Sequence, residues 1–175
     1  MSSRMSNPIR RAVIVTTLGS SLVLSAVPAA QAALGGSPMT PPDGSTVSTR
    51  VMHATSSATS SSSSASSTAA ASYTVRETTL GSGTVVREYL SQAGTVFGIA
   101  WSGPQMPDLN SLLGTYFPQY VDGLTAVTAA RGGHGPASVQ SDTLVVRSGG
   151  HMGAFAGNAW LPQALPAGVS GSDIQ

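Results

Sequence analysis

Apolar and polar residues alternate along three stretches in the middle of the chain, with turn-forming residues between them. In "YTVRETTLGSGTVVREYLSQAGTVFGIAW" the turns are "GSG" and "SQAG", which predicts three antiparallel strands. A three-residue loop at 81–83 places Arg76 opposite Glu88. It also places Glu77 opposite Arg87, so both cross-strand pairs are oppositely charged. A two-residue loop would set Arg76 against Arg87, and we therefore predict the three-residue loop, where glycine supplies the positive φ.

The second hairpin is predicted to close through "SQAG". This turn pairs Tyr89 with Val96 and Val86 with Ile99. Three large apolar side chains of the third strand then share one face, which we expect to meet the core: Phe97, Ile99 and Trp101.

The next segment, "PDLNSLLGTYFPQYVDGLTAVTAARGG", has helical periodicity in two pieces. Asp108 is placed to cap the first piece with its carboxylate. The first apolar stripe consists of Leu109, Leu112, Leu113 and Tyr116. Pro118 should break or kink the helix and push Phe117 away from helical geometry. The second apolar stripe consists of Tyr120, Val121, Leu124 and Val127.

The stretch "TLVVRSGGHMGAFAGNAW" predicts a last hairpin with Gly149-Gly150 as its two-residue turn. Ser148 then faces His151, while Arg147 and Met152 share the other face. The predicted element order is β-β-β-α-β-β. We expect a single small α+β domain over residues 73–175, a small antiparallel sheet with a kinked helix packed on one face.

The N-terminal part of the chain reads as two segments that precede this domain. Residues 1–32 are predicted to be a signal peptide, because three arginines precede an uncharged apolar run and "AQA" supplies a cleavage site. Residues 33–72 are predicted to be a disordered linker, first rich in Pro and Gly and then in Ser, Thr and Ala. We expect export to the periplasm or beyond it, with no membrane span after cleavage.

Composition excludes several classes of function. There is no cysteine, so the exported chain has neither disulfides nor a lipid-modified cysteine. Removal of residues 1–32 leaves five arginines against seven acidic residues, a net charge of −2, which does not suit nucleic-acid binding. The spacing of the three histidines matches no zinc motif, and neither "RGGHGP" nor "SGGHMG" follows a strand and opens a helix. We predict no metal and no cofactor.

Three stretches resemble the DUF2844 family of exported bacterial proteins. They are "YTVRETTLGSGTVVREYLSQAGTVFGIAWSGPQMPDLNSLLGTYFPQY", "LVVRSGGHMGAFAGNAWLP" and the ending "LPAGVSGSDIQ". The "ALGGSP" that follows the predicted signal peptide shares the resemblance, whereas the serine run does not. The resemblance implies an exported domain and carries over no activity, cofactor or catalytic residue.

His151 is the first candidate for chemistry, because the predicted turn sets it beside Ser148 as a nucleophile and its base would stand. A carboxylate to orient the imidazole is missing: Asp142 lies on the same predicted face, but roughly 20 Å from the pair at strand rise. A turn residue is the favoured interpretation, with ligand contact and catalysis as alternatives, and we assign no catalytic residue. Glu77 and Glu88 are interpreted as ion-paired surface residues.

The aromatic side chains are the largest apolar group of the domain, and core packing explains most of them. A subset beside the helix break could bind a partner, because Tyr and Trp combine apolar area with a polar group. The candidate binding surface consists of Trp101, Tyr116, Tyr120, Arg147 and His151. We expect a non-enzymatic module, tethered by the linker, that contacts a cell-envelope protein or glycan. The alternatives are a small-ligand or glycan binder at the helix break and, less favoured, a hydrolase centred on His151.

Overall fold

A computed structural model describes residues 34–54, 71–131 and 135–175 of the chain. The described residues form one seven-stranded antiparallel sheet in the order β1-β2-β3-β4-β7-β6-β5. Its strands are β1 Thr46–His53, β2 Ser72–Thr79, β3 Val85–Leu90, β4 Val96–Gly103, β5 Ala137–Gln140, β6 Val145–His151 and β7 Ala154–Trp160. Between β4 and β5 lie helix α1 Leu109–Leu113, a 3₁₀ turn Gly114–Tyr116 and helix α2 Phe117–Arg131. The predicted α+β class is confirmed.

The predicted order β-β-β-α-β-β is wrong, because two strands were missed. β1 lies within residues 33–72, which were predicted to be a disordered linker, and all eight of its residues are exposed. β5 has only four residues. An exposed edge strand and a very short strand both lack the buried apolar alternation by which strands are recognised in sequence.

The Ser/Thr/Ala-rich segment connects two neighbouring strands. β1 and β2 pair along their whole lengths, with His53 opposite Ser72. The amide of Ala54 donates to the carbonyl of Ala71 at 3.0 Å. The segment therefore begins and ends at one point of the domain, and its predicted role as a tether is wrong. Residues 1–33 and 55–70, with the predicted signal peptide, lie outside the described residues.

Residues 34–45 belong to the folded domain, which therefore starts well before the predicted residue 73. The side chain of Leu34 is fully buried in the core, and its amide donates to the carbonyl of Leu112 at 3.0 Å. The amide of Gly35 donates to the carbonyl of Val96, whose own amide donates to Gly36. This short segment thus extends the hydrogen bonding of β4 across to α1.

The sheet is buried on both faces, and two apolar clusters result. On the helix face, α1 and α2 cover the sheet, and the core there includes Val86, Ile99, Trp101, Leu112 and Leu113. On the opposite face, which we call the tail face, residues 165–175 cover part of the sheet. The core there includes Tyr73, Tyr89, Phe97, Trp160, Val169 and Ile174.

The register of the first hairpin is confirmed, since Arg76 pairs with Glu88 and Glu77 with Arg87. The register of the second hairpin is wrong. Tyr89 pairs with Gly98 and Leu90 with Val96, which leaves Phe97 as the extra residue of an irregularity in the ladder. Phe97 therefore joins the core of the tail face, whereas Ile99 and Trp101 point to the helix face.

The helical segment is divided as predicted, although the role of Pro118 differs. The carboxylate of Asp108 caps α1, accepting from the amide of Asn110 at 3.0 Å. Phe117 has helical dihedrals (φ −59°, ψ −43°), so the expectation that Pro118 displaces it is wrong. Pro118 lies in the first turn of α2, where its missing N–H costs no intrahelical hydrogen bond. Val121, predicted in the second apolar stripe, is exposed.

Candidate functional site

The tail face carries two rows of residues that cross the sheet beside the C-terminal segment. Residues paired across an antiparallel sheet point to the same side, so each row shares a face. The first row consists of Ser138, Arg147, Asn158, Ala100 and Arg87. The second row consists of Gly149, Ala156, Ser102 and Val85. Three members of the second row have very small side chains, so few side-chain atoms project from the sheet there.

The C-terminal segment bounds one side of this surface. Gly98 leaves room for Ile174, whose side chain would lie 2.9 Å from a Cβ at that position. The amide nitrogen Nδ2 of Asn158 donates to the carbonyl of Ile174 at 2.7 Å. The hydroxyl of Tyr89 donates to the main-chain oxygen of Gln175 at 2.7 Å. The segment thus ends against the first row and leaves the second uncovered.

The result is a groove with a volume of about 710 Å³, which we call the arginine groove. It is lined by residues of β3 to β7, by the end of α2 and by Gln175. Three arginines contribute to the lining: Arg87, Arg131 and Arg147. Of the described residues that line it, none is Asp or Glu. The groove therefore has a cationic, hydrogen-bonding wall above a floor of small residues.

The three arginines differ in how far their side chains are already engaged. Arg87 Nε lies 2.7 Å from Glu77 Oε2, and its Nη1 donates to the main-chain oxygen of Gln175 at 3.3 Å. Arg131 Nη1 donates to the carbonyl of Pro136 at 2.6 Å. The guanidinium of Arg147 lies 5.0 Å from the ring centre of Trp160. Within residues 34–54, 71–131 and 135–175, no carboxylate forms an ion pair with Arg147.

The structure does not bring the five predicted surface residues together. Trp101 is buried, and its ring packs on Gly157, where a Cβ would clash with it. Tyr120 is buried as well, and its hydroxyl shares a hydrogen bond of 3.3 Å with Ser148 Oγ. Trp101 and Arg147 both line the arginine groove. The aromatic surface predicted beside the helix break is thus mostly core.

The cavity near the helix break is small. It has a volume of about 160 Å³ and includes the partly buried Tyr116. Its other lining residues are Thr143, Leu161, Gln163 and Ala164. This volume lies below the roughly 300–1,000 Å³ of typical ligand sites, so the large groove is elsewhere than predicted.

The Ser148–His151 arrangement predicted from the glycine pair is wrong. Ser148 pairs with Gly157, whereas His151 pairs with Ala154 across the actual turn at residues 152–153. β6 continues through both residues of the glycine pair, and Gly153 supplies the positive φ of 86° at the turn. His151 is an exposed residue at the tip, with Nδ1 3.1 Å from the carbonyl of Met152.

Glu88 is a buried carboxyl on the helix face, which corrects its interpretation as a surface residue. Its Oε1 accepts from the amide of Met39 at 2.6 Å. Its Oε2 lies 3.8 Å from Arg76 Nη1 and has no hydrogen-bond partner in the described part of the chain. Burial raises the pKa of Glu88, against smaller lowering effects of the Met39 amide and Arg76. Through the hydrogen bond with Met39, the carboxyl of Glu88 holds the N-terminal segment against β3.

Sequence reasoning found Arg147 but missed the other polar residues of the groove. Arg87 was assigned only to its ion pair with Glu77. Asn158 could have been noticed, since Asn is depleted in strands and here interrupts the apolar "AFAGNAW". The small residues on the floor gave no signal, because their importance depends on which strands they adjoin.

Comparison with known proteins gives one match. Residues 30–174 match the DUF2844 family, described as "protein of unknown function". No curated protein and no solved structure matches the chain. None of the helices formed by the described residues is long and apolar enough to cross a membrane. The match includes both the segment around Leu34 and the strands that build the groove, and the chain belongs to the DUF2844 family.

Proposed function

We propose that this protein is a non-enzymatic binding module of the cell envelope that holds its ligand in the arginine groove. The observation that carries the proposal is the groove itself, at about 710 Å³ and lined by three arginines. Its volume falls within the range of about 300–1,000 Å³ that is usual for small-molecule sites. Location in the envelope rests on the signal peptide predicted over residues 1–32.

The chemistry of the lining favours binding over catalysis. The groove offers guanidinium, amide and hydroxyl groups, which orient a ligand through hydrogen bonds. A hydrolase would need a general base within hydrogen-bond reach of a nucleophile. His151, the predicted candidate, is exposed at the hairpin tip and does not line the groove. The hydroxyl of Ser148 shares its hydrogen bond with the hydroxyl of Tyr120, and not with a histidine or a carboxylate of the described residues.

The proposal is tested by filling the groove. Ala156 is an exposed residue on its floor, so Ala156→Phe should block ligand entry without disturbing the core. Ala154→Phe is the matched control, because Ala154 lies on the same strand and face, at the hairpin tip outside the groove. A library of envelope sugars and metabolites is screened by thermal shift against the wild-type protein and both variants.

We expect compounds that raise the melting temperature of the wild type and of Ala154→Phe, but not of Ala156→Phe. Compounds that stabilise all three proteins equally would bind elsewhere and would refute the groove as the site. The absence of any stabilising compound in the library would count against small-ligand binding altogether.

A further inference from the structure

We infer that the ligand of the arginine groove is an elongated dianion, a molecule with a negative group at each end. One negative group lies at Arg147 and the other lies at Arg131. This inference rests on the proposed function and specifies the charge of its ligand. It follows from where the fold places the charges of the chain and from the positions of the two arginines in the sheet.

The groove concentrates positive charge in a domain that is acidic as a whole. Residues 33–175 contain five arginines and seven acidic residues. Three of the arginines line the groove, whereas none of the acidic residues does. All seven acidic residues belong to the described part of the chain, so none of them is left to balance the groove from elsewhere. A cleft lined by one sign of charge attracts the opposite sign, and the groove therefore favours an anion over a neutral ligand.

Two of the three arginines keep a charge that no carboxylate balances. Arg87 is paired with Glu77 at 2.7 Å, but neither Arg131 nor Arg147 has a carboxylate partner in the described part of the chain. Arg131 donates to the carbonyl of Pro136, which is neutral. The C-terminal end of α2 offsets only about half of a unit charge at Arg131. Two positive groups are therefore available to a ligand, and a dianion matches both.

The two arginines lie toward opposite ends of the groove. Pro136, which Arg131 contacts, adjoins Gly149, since a Cβ on Gly149 would lie 3.5 Å from the side chain of Pro136. Two residues along β6 and one strand spacing put about 8 Å between the Cα atoms of Arg147 and Pro136. The guanidinium of Arg147 leans the other way, over Trp160, which pairs with β6 two residues before Arg147. A small ion can therefore contact one arginine, and only an elongated ligand contacts both.

The floor beside the two arginines is uncharged and open. Gly149 pairs with Ala156 across β6 and β7, and both residues line the groove. Their small side chains leave space for the part of the ligand that joins its two negative groups. A groove of about 710 Å³ is large enough for such a molecule.

The experiment is isothermal titration of the whole exported protein with three probes. Azelate has a carboxylate at each end of a nine-carbon chain. Its monomethyl ester has the same length but a single charge, and succinate is a dianion too short to contact both arginines. We expect azelate to bind about tenfold more tightly than either of the other probes, which is about the value of one charge-assisted hydrogen bond.

Variants test whether each arginine binds one end of the ligand. In Arg147→Gln and in Arg131→Gln, azelate should lose its advantage over the monomethyl ester, because only one of the two arginines remains. Arg50→Gln is the matched control and should keep the advantage, because Arg50 is an exposed arginine on edge strand β1 and does not line the groove. Circular dichroism melting checks that each variant is folded.

Three results would overturn the inference and leave the proposed function intact, as long as library compounds distinguish Ala156→Phe from Ala154→Phe. The first is that the monomethyl ester or succinate binds as tightly as azelate. The second is that azelate keeps its advantage in Arg131→Gln or in Arg147→Gln. The third is that none of the three probes binds. If, in addition, no library compound distinguishes the two phenylalanine variants, the proposed function fails together with the inference.

Discussion

Leu34 offers the sharpest test of where the domain begins. The sequence places it at the start of a disordered linker, in which truncation to alanine would cost nothing. In the structure its side chain is 1% exposed and packs in the helix-face core with Leu112 and Val96. Leu34→Ala removes three buried carbon atoms from a site where backbone hydrogen bonds on both sides limit collapse. Such truncations cost about 2–5 kcal/mol.

For a domain of this size each kcal/mol corresponds to about 4 °C, so we expect the melting temperature to fall by about 8–20 °C. The measurement is urea unfolding followed by tryptophan fluorescence, together with thermal melting by circular dichroism. Val51→Ala is the control, because Val51 is 65% exposed on β1, and its truncation should change stability by less than about 0.5 kcal/mol. Equal stability of Leu34→Ala and Val51→Ala would refute the placement of residues 34–45 in the fold.

Two further predictions concern Glu88 and the serine-rich segment at residues 55–70. Because burial raises the pKa of Glu88, its contribution to stability is present below the ordinary value of 4.5 and is lost as the pH rises through the raised pKa. The melting temperature of the wild type should therefore fall relative to that of Glu88→Gln as the pH rises above 4.5. A difference between the two melting temperatures that does not change with pH would contradict the burial argument. Replacement of residues 55–70 by a short Gly-Ser turn should leave the melting temperature within a few degrees, because loop length enters closure entropy only logarithmically. Shortening a tether would also leave the melting temperature unchanged, so the variant is examined by hydrogen exchange as well. Loss of amide protection in β1 would contradict the β1–β2 hairpin.

Sequence reasoning succeeded where the deciding information was local. The first hairpin was specified by four charges within residues 76–88, and its register follows from pairing Arg76 with Glu88 and Glu77 with Arg87. Asp108 and the stripe that contains Leu112 and Leu113 were likewise recognisable, since a cap and a helical repeat lie within a few residues of one another. Each of these predictions needed no knowledge of the rest of the chain.

Sequence reasoning failed where distant strands choose between local alternatives. The stretch "SGGHMG" contains a glycine pair and a single glycine, and a tight turn can form at either place. The structure places the turn at Met152-Gly153, which sets Arg147 opposite Asn158. Turn chemistry alone does not decide between the two positions. β1 was missed for a related reason, since an exposed edge strand is specified by its neighbour β2 rather than by its own apolar content.

The register of the last hairpin also decides the site. With the predicted turn, Arg147 would stand opposite Met152, and the arginine would have been an isolated surface charge. With the observed turn, Arg147 stands opposite Asn158, in one row with Arg87 and beside the low floor at Gly149. Its residue type identified Arg147 as a candidate from the sequence. The residues beside it in the groove are determined by the pairing of four strands. Within this fold a change that shifts the β6–β7 register would therefore abolish the groove while leaving every lining residue in the chain.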